Sequence, residues 1–129
     1  MEYTFENEDV VRDYECDIQG IVNNANYQHY LEHSRHLYVI NKGVSFSALH
    51  EQEIDVVVAK LEMAFKTPLR PNDHYISRLR VEKNGIRYEF HQAIFRKADN
   101  QLCVTAKVTC VAIVNGKLAT STPELDELL

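Results

Sequence analysis

The sequence predicts an α+β fold in which an antiparallel sheet of about five strands covers one long helix. Only one segment has sustained helical periodicity, and a run of strand-like segments follows it. Turn dipeptides such as Asn84-Gly85 and Asn115-Gly116 close several of those segments. A doubly wound fold would instead alternate strands with helices.

Taken in order, residues 4 to 14 form a first strand of mixed apolar and charged character. In ANYQHYLEHSRHLYVINKG, the residues Tyr27, Tyr30, Leu31, Ser34, Leu37 and Tyr38 recur at i, i+3, i+4 and make one stripe, with His29, Glu32 and His36 opposite. Asn23 or Asn24 can cap this helix, and Gly43 after Lys42 can stop it. Ile54 to Phe65 is rich in β-branched residues and ends before Thr67-Pro68. His74 to Lys83 and Ile86 to Lys97 flank Asn84-Gly85, the dipeptide favoured by a type I′ hairpin, and Leu102 to Val114 is the last strand. Such a sheet leaves an edge strand unpaired, which dimerisation by sheet extension would cover.

A chain of 129 residues, 45% hydrophobic and 26% charged, suits one domain spanning residues 1–129. Its formal net charge of -5 gives no general attraction to nucleic acid or anionic lipid. The opening MEYTFENEDVV is acidic where a secretory leader would be basic and then apolar, and no apolar run could span a bilayer, so the expectation is a cytoplasmic protein. Cys16, Cys103 and Cys110 lack CxxC spacing, which argues against a disulfide framework or a cysteine metal site.

The chemistry points to DIQGIVNNANY, Asp17 to Tyr27. The first strand runs into Asp17, the chain turns at Gly20, and the helix starts just beyond, so Asp17 can face the helix N-terminus. There the first N–H groups lack intrahelical partners and the macrodipole is positive, which suits an oxygen acquiring negative charge. A carboxylate beside a carbonyl so polarised can attack it or deprotonate a water that does. The same residues also have a purely structural reading, because Asp and Asn cap helices and turns well.

The stretch VRDYECDIQGIVNNANYQHYLEHSR closely resembles the opening block of the 4-hydroxybenzoyl-CoA thioesterase-like group of hotdog-fold acyl-CoA thioesterases, which includes the Tol-Pal-associated type. The shared residues are Val11-Arg12, Tyr14-Glu15, Asp17, Gly20, Val22, Ala25-Asn26-Tyr27 and the Glu32 to Arg35 pair. LEMAFKTPLRPND, Leu61 to Asp73, resembles that group's second block. The resemblance implies a hotdog fold, its sheet wrapped around the helix, and dimers or dimers of dimers with sites at subunit interfaces. It also implies that Asp17 is the catalytic carboxylate and that the Asn24 backbone N–H holds the thioester oxygen.

Many members of that group carry His where this chain has Asn24, which removes an imidazole helper but not a backbone donor. The VNNANY wording is closer to acyl-carrier-protein thioesterases, yet those typically have Asn and His where Gln19 and Ile21 stand. The reading therefore leans to CoA esters, with carrier-protein esters as the alternative and no cofactor. Substrate contacts are assigned to Gly20, Tyr27, Lys60, Lys83, Arg87 and Tyr88, the basic residues being candidates for the CoA phosphates. For Lys60, Lys83 and Arg87 the competing reading is a solvated strand face, and for Tyr88 cross-strand packing.

His29, His33 and His36 with Glu32 have spacings that could hold a metal on a helix, but no third ligand elsewhere is evident, and no metal is expected. Glu32 and Arg35 suit an ion pair or a subunit contact. Cys16 would alternate away from Asp17 if the strand persisted, so it reads as packing. Two rival functions are a non-catalytic acyl-thioester-binding or assembly module and a hydratase, the latter lacking its His where Asn24 stands.

Overall fold

The computed structural model describes residues 2–129. β1 (Phe5–Val10) leads through a 3₁₀ turn at Asp13–Glu15 to α1 (Asn24–Asn41) and the short α2 (Phe46–Glu51). β2 (Ile54–Phe65), β3 (His74–Asn84), β4 (Arg87–Arg96), β5 (Gln101–Val114), β6 (Lys117–Ala119) and α3 (Pro123–Asp126) follow. All pairings are antiparallel, in the order β1-β3-β4-β5-β2, and β6 pairs with the end of β5 beyond the last β4 partner. The sheet curls around α1. Among the described residues no helix is long and apolar enough to cross a membrane.

α1 begins where its capping chemistry dictates, with Asn23 Oδ1 accepting the Ala25 N–H at 2.9 Å. Its buried side chains are Tyr27, Tyr30, Leu31, Ser34, Tyr38 and Val39, so Val39 takes the place expected of Leu37. Gly43, at φ +75°, ends the helix by donating to Ile40 O.

β1 stops at Val10, four residues before the expected end. The reason is local: Glu15 reaches back, its Oε1 accepting the Arg12 N–H at 2.8 Å, and the chain winds into a turn. The β3–β4 hairpin also differs from expectation. Asn84 pairs with Arg87, leaving Gly85 and Ile86 as the loop, and only Gly85 has positive φ, the signature of a type II′ turn. The type I′ geometry appears at Asn115-Gly116, where both residues have positive φ. α2, β6 and α3 escaped the sequence reading because each is short and buries few side chains.

Two apolar clusters fill the space between α1 and the sheet. One surrounds the start of α1, with Tyr27, Tyr30, Leu31, Leu69, Tyr75 and Val104, and Tyr30 stacks on Tyr75 at 4.7 Å between centroids. The other lies under its second half, with Tyr38, Leu79, Phe90 and Val108 closed off by Leu125 and Leu128 from the C-terminal turn. Burying each of those two leucines stabilises the fold by about 1.5–3 kcal/mol. Ser34 bonds Ser77 at 2.8 Å and also contacts Asn7, fixing the rotation of α1 over β1 and β3.

Candidate active site

Asp17 occupies the first position of a tight turn. Its N–H donates to Ile21 O at 3.0 Å, its carbonyl accepts from Gly20 N–H at 2.9 Å, and the Cys16–Val22 bridge closes the loop. Gly20 has φ +75°, a conformation that strains any residue with a Cβ. The Asp17 side chain takes part, since Oδ1 accepts the Gln19 N–H at 3.0 Å. With its amide turned to suit the network, Gln19 also donates to Oδ1 and Oδ2 at 2.8 and 3.1 Å. The carboxylate is half-buried, its partners are neutral, and it joins no ion pair among the described residues.

At the helix start the donors are unevenly used. Asn23 takes the Ala25 N–H with its side chain and the Asn26 N–H with its carbonyl, at 2.9 Å each. The Asn24 N–H has no acceptor among the described residues, and the Asn24 residue is exposed. It is thus the open donor at the positive end of an 18-residue helix.

Glu15 connects the two features. Its carbonyl accepts the Asn23 N–H at 3.2 Å and Asn26 Nδ2 at 2.7 Å, while Oε1 accepts the Arg12 N–H and the Tyr30 hydroxyl, each at 2.8 Å. Burial, reinforced by Glu15, raises the Tyr30 phenol well above its ordinary pKa, so it remains a neutral donor. Val22 N–H donates to Leu69 O at 2.9 Å and Leu69 N–H to the Tyr27 hydroxyl at 3.0 Å, which ties the far side of the loop to α1. Burial and the nearby Glu15 and Asp17 raise the Cys16 thiol pKa, disfavouring the thiolate.

The residues assigned to substrate divide. Gly20 lies in the Asp17 turn, but Tyr27 is only 3% exposed and serves packing and Leu69. Lys60 and Arg87 share one surface groove of ≈ 460 Å³ with Lys107. Lys83 is on the opposite face of the sheet, donating to Asp126 at 3.2 Å above the Tyr88 ring. Tyr88 is buried and donates to Asp126 of α3 at 2.7 Å. Alternation across β3 and β4 separates the two groups.

The polar face of α1 borders a second cavity, of ≈ 490 Å³, walled by His29, Glu32, His33 and His36 and floored by Phe90 and Cys110. Arg35 makes no ion pair with Glu32; its Nη1 donates to Gln92 Oε1 at 3.0 Å, and burial lowers its pKa. The metal-type cluster among the described residues is elsewhere, at Glu82, Glu89 and His91. Arg80 and His91 bond Glu82, and Lys107 pairs with Glu89 at 3.1 Å, so these carboxylates already have cationic or imidazole partners.

Sequence reasoning gave no role to Gln19, Asn26, Lys107 or Phe46, and named Glu15 only as a matching residue. An Asx turn reading of Asp17 to Gly20 would have found Gln19. The others depend on contacts between residues far apart in the chain.

Residues 11–129 match the family described as the Thioesterase-like superfamily. Two chloroplastic acyl-acyl carrier protein thioesterases of Arabidopsis thaliana are 31% and 32% identical over 88% and 81% of this chain. The chain spans 61% and 56% of the length of those relatives. Among solved structures, the Escherichia coli probable thioesterase YbaW is 26% identical, with a TM-score of 0.85 over 97% of this chain and 96% of that one. A 1,4-dihydroxy-2-naphthoyl-CoA thioesterase from Synechocystis superposes with a TM-score of 0.89 over 96% and 93% of the two chains at 16% identity. The shared architecture is the hotdog fold, a curled antiparallel sheet around a single long helix.

Proposed function

The chain belongs to the thioesterase-like superfamily, and from that premise we propose that it hydrolyses an acyl-CoA thioester to the free acid and CoA. Asp17 acts as nucleophile or general base, and the Asn24 N–H receives the carbonyl oxygen. The observation that carries this reading is the division of labour at the helix start, where the Asn23 cap occupies the Ala25 and Asn26 N–H groups and leaves Asn24's open.

In the general-base route, Asp17 takes a proton from water and the resulting hydroxide adds to the thioester carbon. The negative charge that forms on oxygen meets the Asn24 N–H and the helix dipole, a donor of a kind worth about 2.7–4 kcal/mol where one has been removed. The C–S bond then breaks and the thiolate leaves, taking up the proton. In the nucleophilic route the carboxylate displaces the thiolate to form an anhydride, which water opens. Either route needs one carboxylate and no cofactor.

Asp17→Asn keeps an oxygen for the Gln19 N–H but lacks a base. The expected outcome is a loss of thiol release from acyl-CoA of about 10²–10⁴-fold with the fold retained. Parent-level turnover by the purified variant would remove Asp17 from the mechanism.

Carrier-protein esters form a second reading, favoured by the names of the two Arabidopsis relatives. Comparing kcat/KM for one acyl group on CoA and on carrier protein separates the two.

The working unit in this proposal is a homodimer or a tetramer built from it. Among the described residues β2 ends the sheet with one edge unpaired, and Val57, Val58, Leu61 and Phe65 on it are 39–53% exposed. A long, apolar free edge calls for pairing with another strand, and a second copy offers the same one.

A further inference from the structure

The helix-facing side of β2 carries an apolar track. Val56, Val58, Leu61, Met63 and Phe65 pair with Ala112, Cys110, Val108, Ala106 and Val104 of β5. Four of those partners are buried core residues, and Ala106 packs against the core, so the β2 residues opposite share that face. The irregularity between Val58 and Lys60 resets the alternation and keeps the track continuous.

At one end of the track, the Phe65 ring lies 5.8 Å from that of Tyr27, in the first turn of α1 and three residues after Asn24. At the other end, Val56 and Val58 line the ≈ 490 Å³ cavity, which Phe46 at the start of α2 also lines. A further cavity of ≈ 370 Å³ lies behind, between the end of α1 and α2. His36 and Phe46 line both spaces, so the two cavities meet at these side chains. Phe46 is 38% exposed, so its ring is a wall rather than a core element.

We propose that the substrate is a thioester of an unbranched aliphatic acyl chain that lies along this β2 track from the helix start, and that Phe46 sets the longest chain accommodated. The proposal rests on the hydrolase reading for where the chain begins, but it concerns binding and is tested as binding. The track is apolar on the sheet side, and each methylene laid on it leaves water, which strengthens binding about fourfold per methylene until the chain meets the ring. Past that length, further methylenes gain nothing.

The test is a series of hydrolysis-resistant acyl-CoA thioethers of increasing chain length, titrated calorimetrically into the full-length protein. For the parent, affinity should rise with length and then break to a plateau. Phe46→Ala should move the break to longer chains by joining the two cavities, and Phe46→Trp should move it to shorter ones. A general loss of packing would not displace the break in opposite directions. Affinity independent of chain length, or an identical break in all three folded proteins, would overturn the proposal and indicate that other side chains, such as a second copy's, fill the track. Thiol release from the matching thioesters is measured in parallel. Its absence with displaced breaks would count against hydrolysis and leave the chain-length assignment standing.

Discussion

The Asn26 side chain donates from Nδ2 to the Glu15 carbonyl at 2.7 Å, joining the first turn of α1 to the segment that carries Asp17 two residues later. This contact holds the proposed base and the proposed oxyanion donor in one frame. Such a hydrogen bond contributes only about 0.5–1.5 kcal/mol to stability, whereas a displacement of about 1 Å between catalytic groups can cost about 10²-fold in rate. Asn26→Ala should therefore lower kcat for thioester hydrolysis by about ten- to a hundredfold while the thermal midpoint falls by only a few degrees. Steady-state kinetics beside a melting curve checks this, and a loss confined to KM would argue against a positioning role.

Lys60 and Arg87 share a groove with Lys107, while Lys83 is held on the other face by Asp126. If the groove receives CoA phosphate, Arg87→Gln should raise KM for an acyl-CoA about tenfold, the size expected of one charge-assisted hydrogen bond. The same acyl group on pantetheine, which lacks the nucleotide, should be unaffected. Lys83→Gln should leave both KM values unchanged.

The free edge of β2 gives an assembly prediction. Val57→Lys combined with Leu61→Lys puts charge along an edge that otherwise invites pairing. Sedimentation should show the parent as a dimer or larger and the double variant as a monomer, with unchanged far-ultraviolet circular dichroism.

Alkaline stability follows from groups that hold their protons more tightly when folded. Burial pushes the Cys103 thiol up to about 11, and burial likewise raises the Tyr27, Tyr30 and Tyr75 phenols. Between the unfolded and folded pKa values the native chain binds more protons, so stability falls as pH rises. Cys103's contribution is complete below its unfolded value of about 8.5 and declines from there until about 11. Denaturant midpoints should drop over that window, and Cys103→Ala should flatten part of the slope.

Some of this was legible in the chain itself. The helical stripe from Tyr27 to Tyr38, the stop at Gly43 and the bounds of β2 follow from periodicity and local punctuation, because backbone sterics and side-chain patterning act between near neighbours. The turn at Gly20 and the cap choice of Asn23 or Asn24 were local in the same way. The hairpin at Asn84-Gly85 shows the limit, since pairing of Asn84 with Arg87 shifted the loop by one residue and changed its type.

What the sequence determined by itself was a strand-rich domain with one amphipathic helix and an acid just ahead of it. Tertiary structure alone decided that Glu15 reaches Tyr30 and Asn26, and that Lys83 parts from Lys60 and Arg87. Those outcomes depend on which donors are already satisfied and which face of a strand turns inward. Both are properties of the assembled sheet and helix, formed between residues distant in the chain, and no local pattern encodes them.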